Sequence, residues 1–287
     1  MTIASNEREF QYSAADFDSV RKILYKKAGI SLSDSKKQLV YSRLARRLRA
    51  LGVPDFGSYL AYLDQHDDEL EEFINALTTN LTAFFREAHH FDILAKFVEK
   101  MKQQRRPMRV WCAAASTGEE PYSIAMALAE AYGTYEPPVE IIASDIDSNV
   151  LREGAAGVYS VKRLETVSLE RKKQFFQRGK GANAGKAKIV PALRNLVDFR
   201  KVNLLDASWD LKPGFDIIFC RNVMIYFDKQ TQLTLLTRMM KLLNADGLYI
   251  AGHSESFTSA NHLVKLIGKT TYVHAAYAKQ EGVNELR

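Results

Sequence analysis

Two hydrophobic rhythms divide the chain, and the change from one to the other falls across residues 78–87. Before it, apolar residues recur every three or four positions, the spacing of helices that bury one face. Phe17, Val20, Ile23, Leu24 and Ala28 share such a face, with Ser13 as N-cap and Gly29 as the stop. Val40, Leu44, Leu48 and Leu51 form the next stripe, opened by Ser33 or Asp34 and closed by Gly52. Two further helices, about Asp55 to His66 and Asp68 to Leu77, complete a small bundle in which nothing reads as a strand. Residues 1–12 are polar and are expected to be frayed.

Beyond a helix through Phe91, Leu94, Phe97 and Met101, short apolar runs replace the helical stripe. The first, Arg109 to Cys112, passes through small residues into a helix from Pro121 to Ala131 that stops at Gly133. Val139 to Asp147 is a second buried strand, and Leu196 to Val202, Phe215 to Cys220 and Leu248 to His253 continue the alternation, with a long helix from Lys229 to Leu243. Leu263 to Ile267 and Thr271 to Tyr277 are expected to pair as a terminal hairpin. Seven strands mostly joined by helices imply an α/β domain on a largely parallel sheet. Residues 154–197 interrupt the rhythm: Gly157-Val158-Tyr159, a helical piece from Ser168 to Arg178, and Ala187 to Val190 surround the glycine-rich turn Gly179 to Gly185. This stretch reads as a small inserted hairpin whose exposed edge can accept a peptide by strand addition.

At 287 residues the chain is long enough for about two domains of roughly 150 residues each. Its 40 basic and 34 acidic residues leave a net charge of +6, which favours an acidic partner without demanding nucleic acid. No apolar run reaches the ~18 residues of a membrane span and the N-terminus lacks a signal-peptide core, so a cytoplasmic protein without membrane insertion is expected. Cys112 and Cys220 fall inside strand runs, where thiols serve as small apolar groups, so neither a disulfide nor a metal site is expected. Nothing demands more than a monomer.

Candidate chemistry gathers at strand ends. Small side chains at Ala114, Ala115, Ser116 and Gly118 let a ligand approach the backbone. The helix that follows opens with Glu119 and Glu120, which repel a pyrophosphate and attract an amino or sulfonium cation. The turn also lacks the G-x-G-x-x-G spacing of a dinucleotide site. Taken alone, it reads equally as an ordinary turn with solvated glutamates. Asp145, ending the second strand, is placed to accept both hydroxyls of a ribose, whereas Asp147 reads as the cap of the helix starting near Ser148. At the junction, Asn80 or Thr82 can cap the next helix, yet an amide, a hydroxyl and Arg86 gathered there also suit a ligand. Lys36, Lys37, Arg43, Arg46, Arg47 and Arg49 give one helix face a single sign, either simply solvated or steering an acidic helix or a nucleic-acid backbone.

Five stretches are specific enough to name a family: Thr79 to Glu87 (TNLTAFFRE), Ala114 to Ser123 (AASTGEEPYS), Ala143 to Asp147 (ASDID), Phe219 to Phe227 (FCRNVMIYF) and Gly252 to Glu255 (GHSE). In this order they resemble the CheR family of chemotaxis-receptor glutamate methyltransferases, over nearly everything from Ser13 to Tyr277. The resemblance implies an all-α N-terminal domain (1–86) and a class I S-adenosylmethionine (AdoMet)-dependent methyltransferase domain (87–287) with a Rossmann-like sheet and an inserted antiparallel β-subdomain (about 154–197). It implies AdoMet as donor, S-adenosylhomocysteine as product, and cofactor contacts at Asn80, Thr82, Arg86, Glu120, Asp145, Asn203, Leu204, Arg221 and Asn222, with Glu119 a weaker alternative to Glu120. The implied partners are the acidic cytoplasmic helices of chemotaxis receptors, met by Lys36, Arg43, Arg46, Arg47 and Arg49. In some members the β-subdomain also grips a peptide at the receptor's C-terminus; here that region carries Gly185, Lys186 and Lys188.

Methyl transfer to glutamate is an in-line displacement by a carboxylate that is already ionised at neutral pH, so it needs no general base, and His89, His90 and His253 are read as structural. It needs orientation. Arg86 is expected to hold the incoming carboxylate and Tyr226 to hydrogen-bond it or shape the methyl's path, the two meeting at the crevice. Two alternatives stay open. A nucleic-acid methyltransferase is suggested by the basic charge and the Asn222 to Tyr226 spacing, although Val223, Met224 and Ile225 between them include no proline and no aromatic-and-basic stripe is visible. A non-catalytic module that senses AdoMet or S-adenosylhomocysteine is opposed by the intact junction motif and Tyr226.

Overall fold

The computed structural model describes residues 9–104 and 106–279; of the start expected to be frayed over residues 1–12, residues 1–8 lie outside them, and residues 9–12 are instead held in place, Glu9 paired with Arg49, the Phe10 N–H on the Tyr41 hydroxyl and Tyr12 buried. Two compact units divide the chain. One comprises Met1–Thr79 with Tyr226–Asp228, the other Asn80–Ile225 and Lys229–Arg287.

Among the described residues, the first unit has four α-helices: α1 (Ala14–Ala28), α2 (Lys37–Leu51), α3 (Phe56–Leu63) and α4 (Asp67–Leu77). Ser13 and Asp16 form a reciprocal capping box at the start of α1, answering N–H groups that a helix start leaves open. Gly29 and Gly52 end α1 and α2 at φ 69° and 66°, a left-handed turn that glycine adopts without steric cost. Neither Ser33 nor Asp34 caps α2 with its side chain. A tight 3-10 turn at Asp34–Lys36 leads into the helix instead, with the Ser33 and Ser35 hydroxyls 2.7 Å apart and Asp34 engaged by Arg21 at 2.7 Å.

The core of this unit is built from Phe17, Val20, Leu24, Val40, Leu44, Leu48, Phe56, Tyr59 and Phe73. The basic face of α2 is divided. Lys36, Arg46 and Arg49 are exposed. Arg47, however, donates to Glu69 at 2.5 and 3.0 Å, joined there by the Tyr59 hydroxyl at 2.7 Å, and Arg43 donates to the carbonyls of Ala76 and Thr78. These two arginines tie α4 and the segment after it to α2.

The second unit begins with α5 (His89–Met101), β1 (Met108–Cys112), α6 (Glu119–Tyr132), β2 (Val139–Asp145) and α7 (Ser148–Ala156). An insert follows: β3 (Val158–Ser160), α8 (Leu169–Phe175), β4 (Phe176–Arg178), β5 (Lys186–Ile189) and the one-turn α9 (Pro191–Arg194). The sheet then resumes with β6 (Val197–Lys201), β7 (Phe215–Cys220), α10 (Lys229–Leu242), β8 (Leu243–Ala251), β9 (Val264–Gly268) and β10 (Thr271–His274). Seven strands pair in the order β6-β2-β1-β7-β8-β10-β9. The first five are mutually parallel, and β9 and β10 form the expected antiparallel hairpin. Among the five parallel strands, chain order runs outward from β1 in both directions, which makes the C-terminal edge of β1 the switch point where open parallel sheets bind ligands.

Strands buried on both faces need no alternation, which is why they read as unbroken apolar runs. β7 is buried at every position. That includes Asp216, whose carboxylate accepts from Arg106 at 2.6 and 2.9 Å, Asn244 Nδ2 at 2.8 Å and the Arg109 N–H at 2.9 Å.

Three further expectations change. The insert is a three-stranded antiparallel sheet of order β3-β5-β4, not a hairpin, because Phe176–Arg178 leaves the helical piece and pairs with β5. β8 starts directly at Leu243 and carries Asp246-Gly247 within it. Finally, α5 opens at His89 after Ala88, so neither Asn80 nor Thr82 caps it.

Candidate functional site

β1 and β2 run in register, Cys112 opposite Ala143, so the segments that follow them meet. The turn after β1 bends through Ser116 (φ 48°) and Gly118 (φ 94°). Ser116 N–H donates to Asp145 Oδ2 at 2.8 Å, and Ser116 Oγ donates to the Asn80 carbonyl at 3.1 Å. Asn80 Nδ2 in turn donates to Asp147 Oδ2 at 2.8 Å, which sews the junction to both strand ends. Asp147 caps α7 through the N–H groups of Asn149 and Val150, as its position suggests.

Asp145 is half-buried, and its second oxygen accepts the Asp147 N–H at 3.1 Å. Burial lifts its carboxyl above the ordinary value, against the pull of these N–H groups. A carboxylate held by backbone dipoles is suited to accept paired hydroxyls. Val202 N–H donates to the Asp145 carbonyl at 3.0 Å, which brings Asn203 and Leu204 to the same end. Asn203 Oδ1 closes its own turn on the Leu205 N–H at 3.0 Å, and Leu204 is buried.

Glu119 and Glu120 are both buried, which overturns the reading of this turn as one with solvated glutamates. Glu120 Oε2 accepts from Arg221 Nη1, and its Oε1 lies 3.3 Å from the Cys112 thiol. Arg221, 4% exposed, also donates from Nη2 to the Arg86 carbonyl at 2.6 Å. One guanidinium therefore joins the opening of α6, the segment after β7 and the junction. Glu119 is held by the Thr117 hydroxyl at 2.7 Å and by Arg163 at 2.6 Å, while burial keeps its carboxyl above the usual value. Arg163 lies in the insert and carries no sequence motif that marks it.

The junction is strained. Phe85 (φ 53°) and Glu87 (φ 57°) adopt left-handed conformations that cost a non-glycine residue about 1–3 kcal/mol each, and they flank Arg86. Such strain survives only when its surroundings enforce it. Here Ser123 Oγ accepts the Phe85 N–H at 2.9 Å and Arg221 holds the Arg86 carbonyl. The Arg86 guanidinium lies against the Leu81 carbonyl at 3.1 Å. Thr82, half-buried, sits on the same segment. Burial pushes the Glu87 carboxyl up, but Arg221 at 3.4 Å and His253 at 3.2 Å together hold it below its usual value. Buried His90 lies 3.1 Å from the Lys269 carbonyl through Nε2, and burial lowers its pKa to about 4, so the ring is neutral.

Asn222 (φ 59°) turns the chain after β7. Glu255 organises that turn, a role its place in the GHSE run did not reveal. Its carboxylate accepts the N–H groups of Asn222 at 3.0 Å, Gly252 at 2.6 Å and Met224 at 2.8 Å. A side chain at Gly252 would put its Cβ 2.3 Å from Asn222 Nδ2, so the close approach requires glycine. Tyr226 groups with the helical unit, where its carbonyl accepts the Ser31 N–H at 3.0 Å, whereas Arg86 belongs to the sheet unit.

Comparison with known proteins matches both units. The CheR methyltransferase all-alpha domain matches residues 15–78, and the CheR methyltransferase SAM binding domain matches residues 80–273, SAM being AdoMet. Chemotaxis protein methyltransferase 2 of Pseudomonas aeruginosa is 57% identical over 265 residues, covering 92% of this chain and 95% of that protein. The chemotaxis protein methyltransferases of Salmonella typhimurium and Escherichia coli are 50% and 48% identical over 262 residues, covering 91% of this chain and 90% and 91% of theirs. With polar groups gathered where the strand order of a parallel sheet reverses and both units matched to one family, the chain belongs to the CheR methyltransferases.

Proposed function

We propose that the chain transfers the methyl group of AdoMet to glutamate side chains of chemotaxis receptors, forming methyl esters and releasing S-adenosylhomocysteine. The observation that carries the acceptor class is the presentation of Arg86, a cation set between two strained residues with its carbonyl locked by Arg221. An acceptor that arrives ionised needs a cation to orient it and no base to activate it. Nearby His90 is fully buried and its pKa is lowered to about 4, which makes its ring a poor base at neutral pH.

Bound AdoMet supplies a methyl group activated by its sulfonium. Glu120, aimed by Arg221, suits the cationic end of the donor, and Asp145 suits its ribose. Asn80, Thr82, Asn203, Leu204 and Asn222 complete the surroundings. Arg86 orients the incoming carboxylate oxygen for in-line attack, and Tyr226 hydrogen-bonds it or bounds the methyl's path. An acidic receptor helix docks on α2, where Lys36, Arg46 and Arg49 supply exposed charge and Arg43 and Arg47 add to the field while holding the bundle. The small sheet offers β3 and β4 as edges for a receptor peptide, with Lys186 and Lys188 on its central strand. The protein acts as a cytoplasmic monomer.

The test supplies labelled AdoMet with receptor-bearing membranes and measures label released by base, which reports esters. Arg86→Ala and Tyr226→Phe should each cut turnover strongly while the fold persists. Label that resists base would refute glutamate as the acceptor, and near-wild-type turnover in both variants would remove these residues from the mechanism.

A further inference from the structure

We propose that Arg163 is a positioning residue for AdoMet binding, through which the insert holds the opening turn of α6; this rests on the donor placement given above. Arg163 Nη2 lies 2.6 Å from Glu119 Oε1 and 2.7 Å from the Thr117 hydroxyl. Glu119 is 1% exposed and immediately precedes Glu120, the carboxylate assigned to the donor's cationic end. Two consecutive buried acids on one helical turn repel each other unless each is separately compensated. Arg221 compensates Glu120, and Arg163 compensates Glu119. Without Arg163, Glu119 loses its cationic partner at 2.6 Å and keeps neutral donors such as the Thr117 hydroxyl; it must then take up a proton or swing toward water, and either change disturbs the turn that aims Glu120.

The insert grips this region at more than one point. The Tyr159 hydroxyl donates to the Thr117 carbonyl at 2.8 Å, and the Arg163 guanidinium lies 5.7 Å from the centre of the Tyr159 ring. A Cβ on Gly118 would come within 2.7 Å of the Tyr159 oxygen, so insert and turn are packed without slack. The same subdomain reaches the strained junction. Thr166 Oγ1 donates to the Phe84 carbonyl at 2.9 Å, the Phe84 ring meets Tyr159 and Phe176 edge-on at 5.0 and 5.6 Å, and Arg171 lies 3.9 Å from the centre of the Phe85 ring. Both segments assigned to the donor therefore depend on contacts from the insert, and among these Arg163 brings a charge to a buried carboxylate. A structure whose sole task was to display an edge strand to a peptide would not require these inward contacts.

The experiment compares Arg163→Met, Arg163→Lys and the double variant Arg163→Met with Glu119→Gln. AdoMet affinity is measured by calorimetry without acceptor, thermal stability by melting, and turnover at saturating AdoMet with receptor membranes. Arg163→Met should weaken AdoMet binding about tenfold, or about 1.4 kcal/mol, and leave turnover at saturating AdoMet within about a factor of three. Arg163→Lys should recover most of the affinity by restoring the charge. The double variant should also bind better than Arg163→Met, because it removes the stranded carboxylate. A lowered melting temperature with unchanged AdoMet affinity, or a double variant no better than the single one, would overturn the proposal. Because affinity is read without acceptor, a failure to find base-labile esters would refute glutamate as the target and leave this result standing.

Discussion

Glu69 in the helical unit and Glu120 in the sheet unit are both buried carboxylates clamped by a guanidinium, yet their surroundings differ in kind. The Arg47 fork and the Tyr59 hydroxyl close around Glu69, and the cluster ties α4 to its neighbours. Around Glu120 the polar accounting stays open. Arg221 Nε and Glu87 Oε2 are buried with no hydrogen bond among the described residues, and Phe85, Glu87 and Asn222 are all left-handed. An unanswered buried polar group costs ~1–3 kcal/mol, about as much as each strained residue. The helical unit uses buried charge for rigidity, while the sheet unit carries unmet polar groups and strain together, the combination expected where a ligand completes the structure.

The contrast can be broken most directly at the guanidinium groups. Arg221→Met leaves Glu120 buried and uncompensated, and is expected to cost about 3 kcal/mol in urea denaturation as well as AdoMet binding. Arg47→Met should cost less, about 2 kcal/mol, because Arg47 is partly solvated and the Tyr59 hydroxyl remains, and calorimetry should find AdoMet affinity unchanged. If Arg47→Met instead abolished AdoMet binding, the separation of roles would fail.

Asp145→Ala sharpens the comparison from the ligand's side. It should raise the AdoMet dissociation constant about tenfold and also lower the melting temperature, since the Ser116 and Asp147 N–H groups lose their acceptor together with the donor's hydroxyls. Unchanged affinity would remove Asp145 from the site.

Glu87 gives a smaller, pH-dependent effect. Its carboxyl is held below the ordinary 4.5 in the folded protein, so its contribution to stability is complete above that value and is lost as pH falls toward the lowered folded value. Stability measured from roughly pH 5 to pH 3 should therefore fall less steeply in Glu87→Gln than in the parent chain. Equal slopes would show that Arg221 and His253 do not act on it.

The smallest change in stability is expected at Arg46, which is exposed. Arg46→Glu should leave the melting temperature in place and slow receptor methylation at low salt, with the difference shrinking as the screening length drops below ~10 Å above about 0.1 M. Indifference of the methylation rate to both salt and charge reversal would exclude docking through α2.

Much of this architecture was legible in one dimension. Ser13, Gly29, Gly52, Gly133 and Asp147 all end or cap helices where local chemistry places them, because a cap involves residues only a few positions apart. β1, β2 and β7 were equally plain. β4 was not, since Phe176–Arg178 follows α8 with no turn residue between them, and only its pairing with β5 makes it a strand. Of the candidate donor contacts, Asn80 and Asp145 converge through Ser116, and Glu120 and Arg221 bond directly. Arg163 and the organising role of Glu255 are not legible in the sequence because neither has a neighbour there that announces its partner.

The sequence by itself determined the order of most elements and where many of the helices stop, that the large sheet is mainly parallel, and that acids cluster at its strand ends. Those properties depend on periodicity and on interactions spanning a few residues. Only the tertiary structure decided what each charge does. Glu120 finds Arg221 101 positions away, Glu119 finds Arg163 in the insert, and Arg43 and Arg47 turn inward while Arg46 on the same helix faces water. A charged side chain takes its role from burial and from the partner that burial brings to it, and both are set by parts of the chain far from its own position.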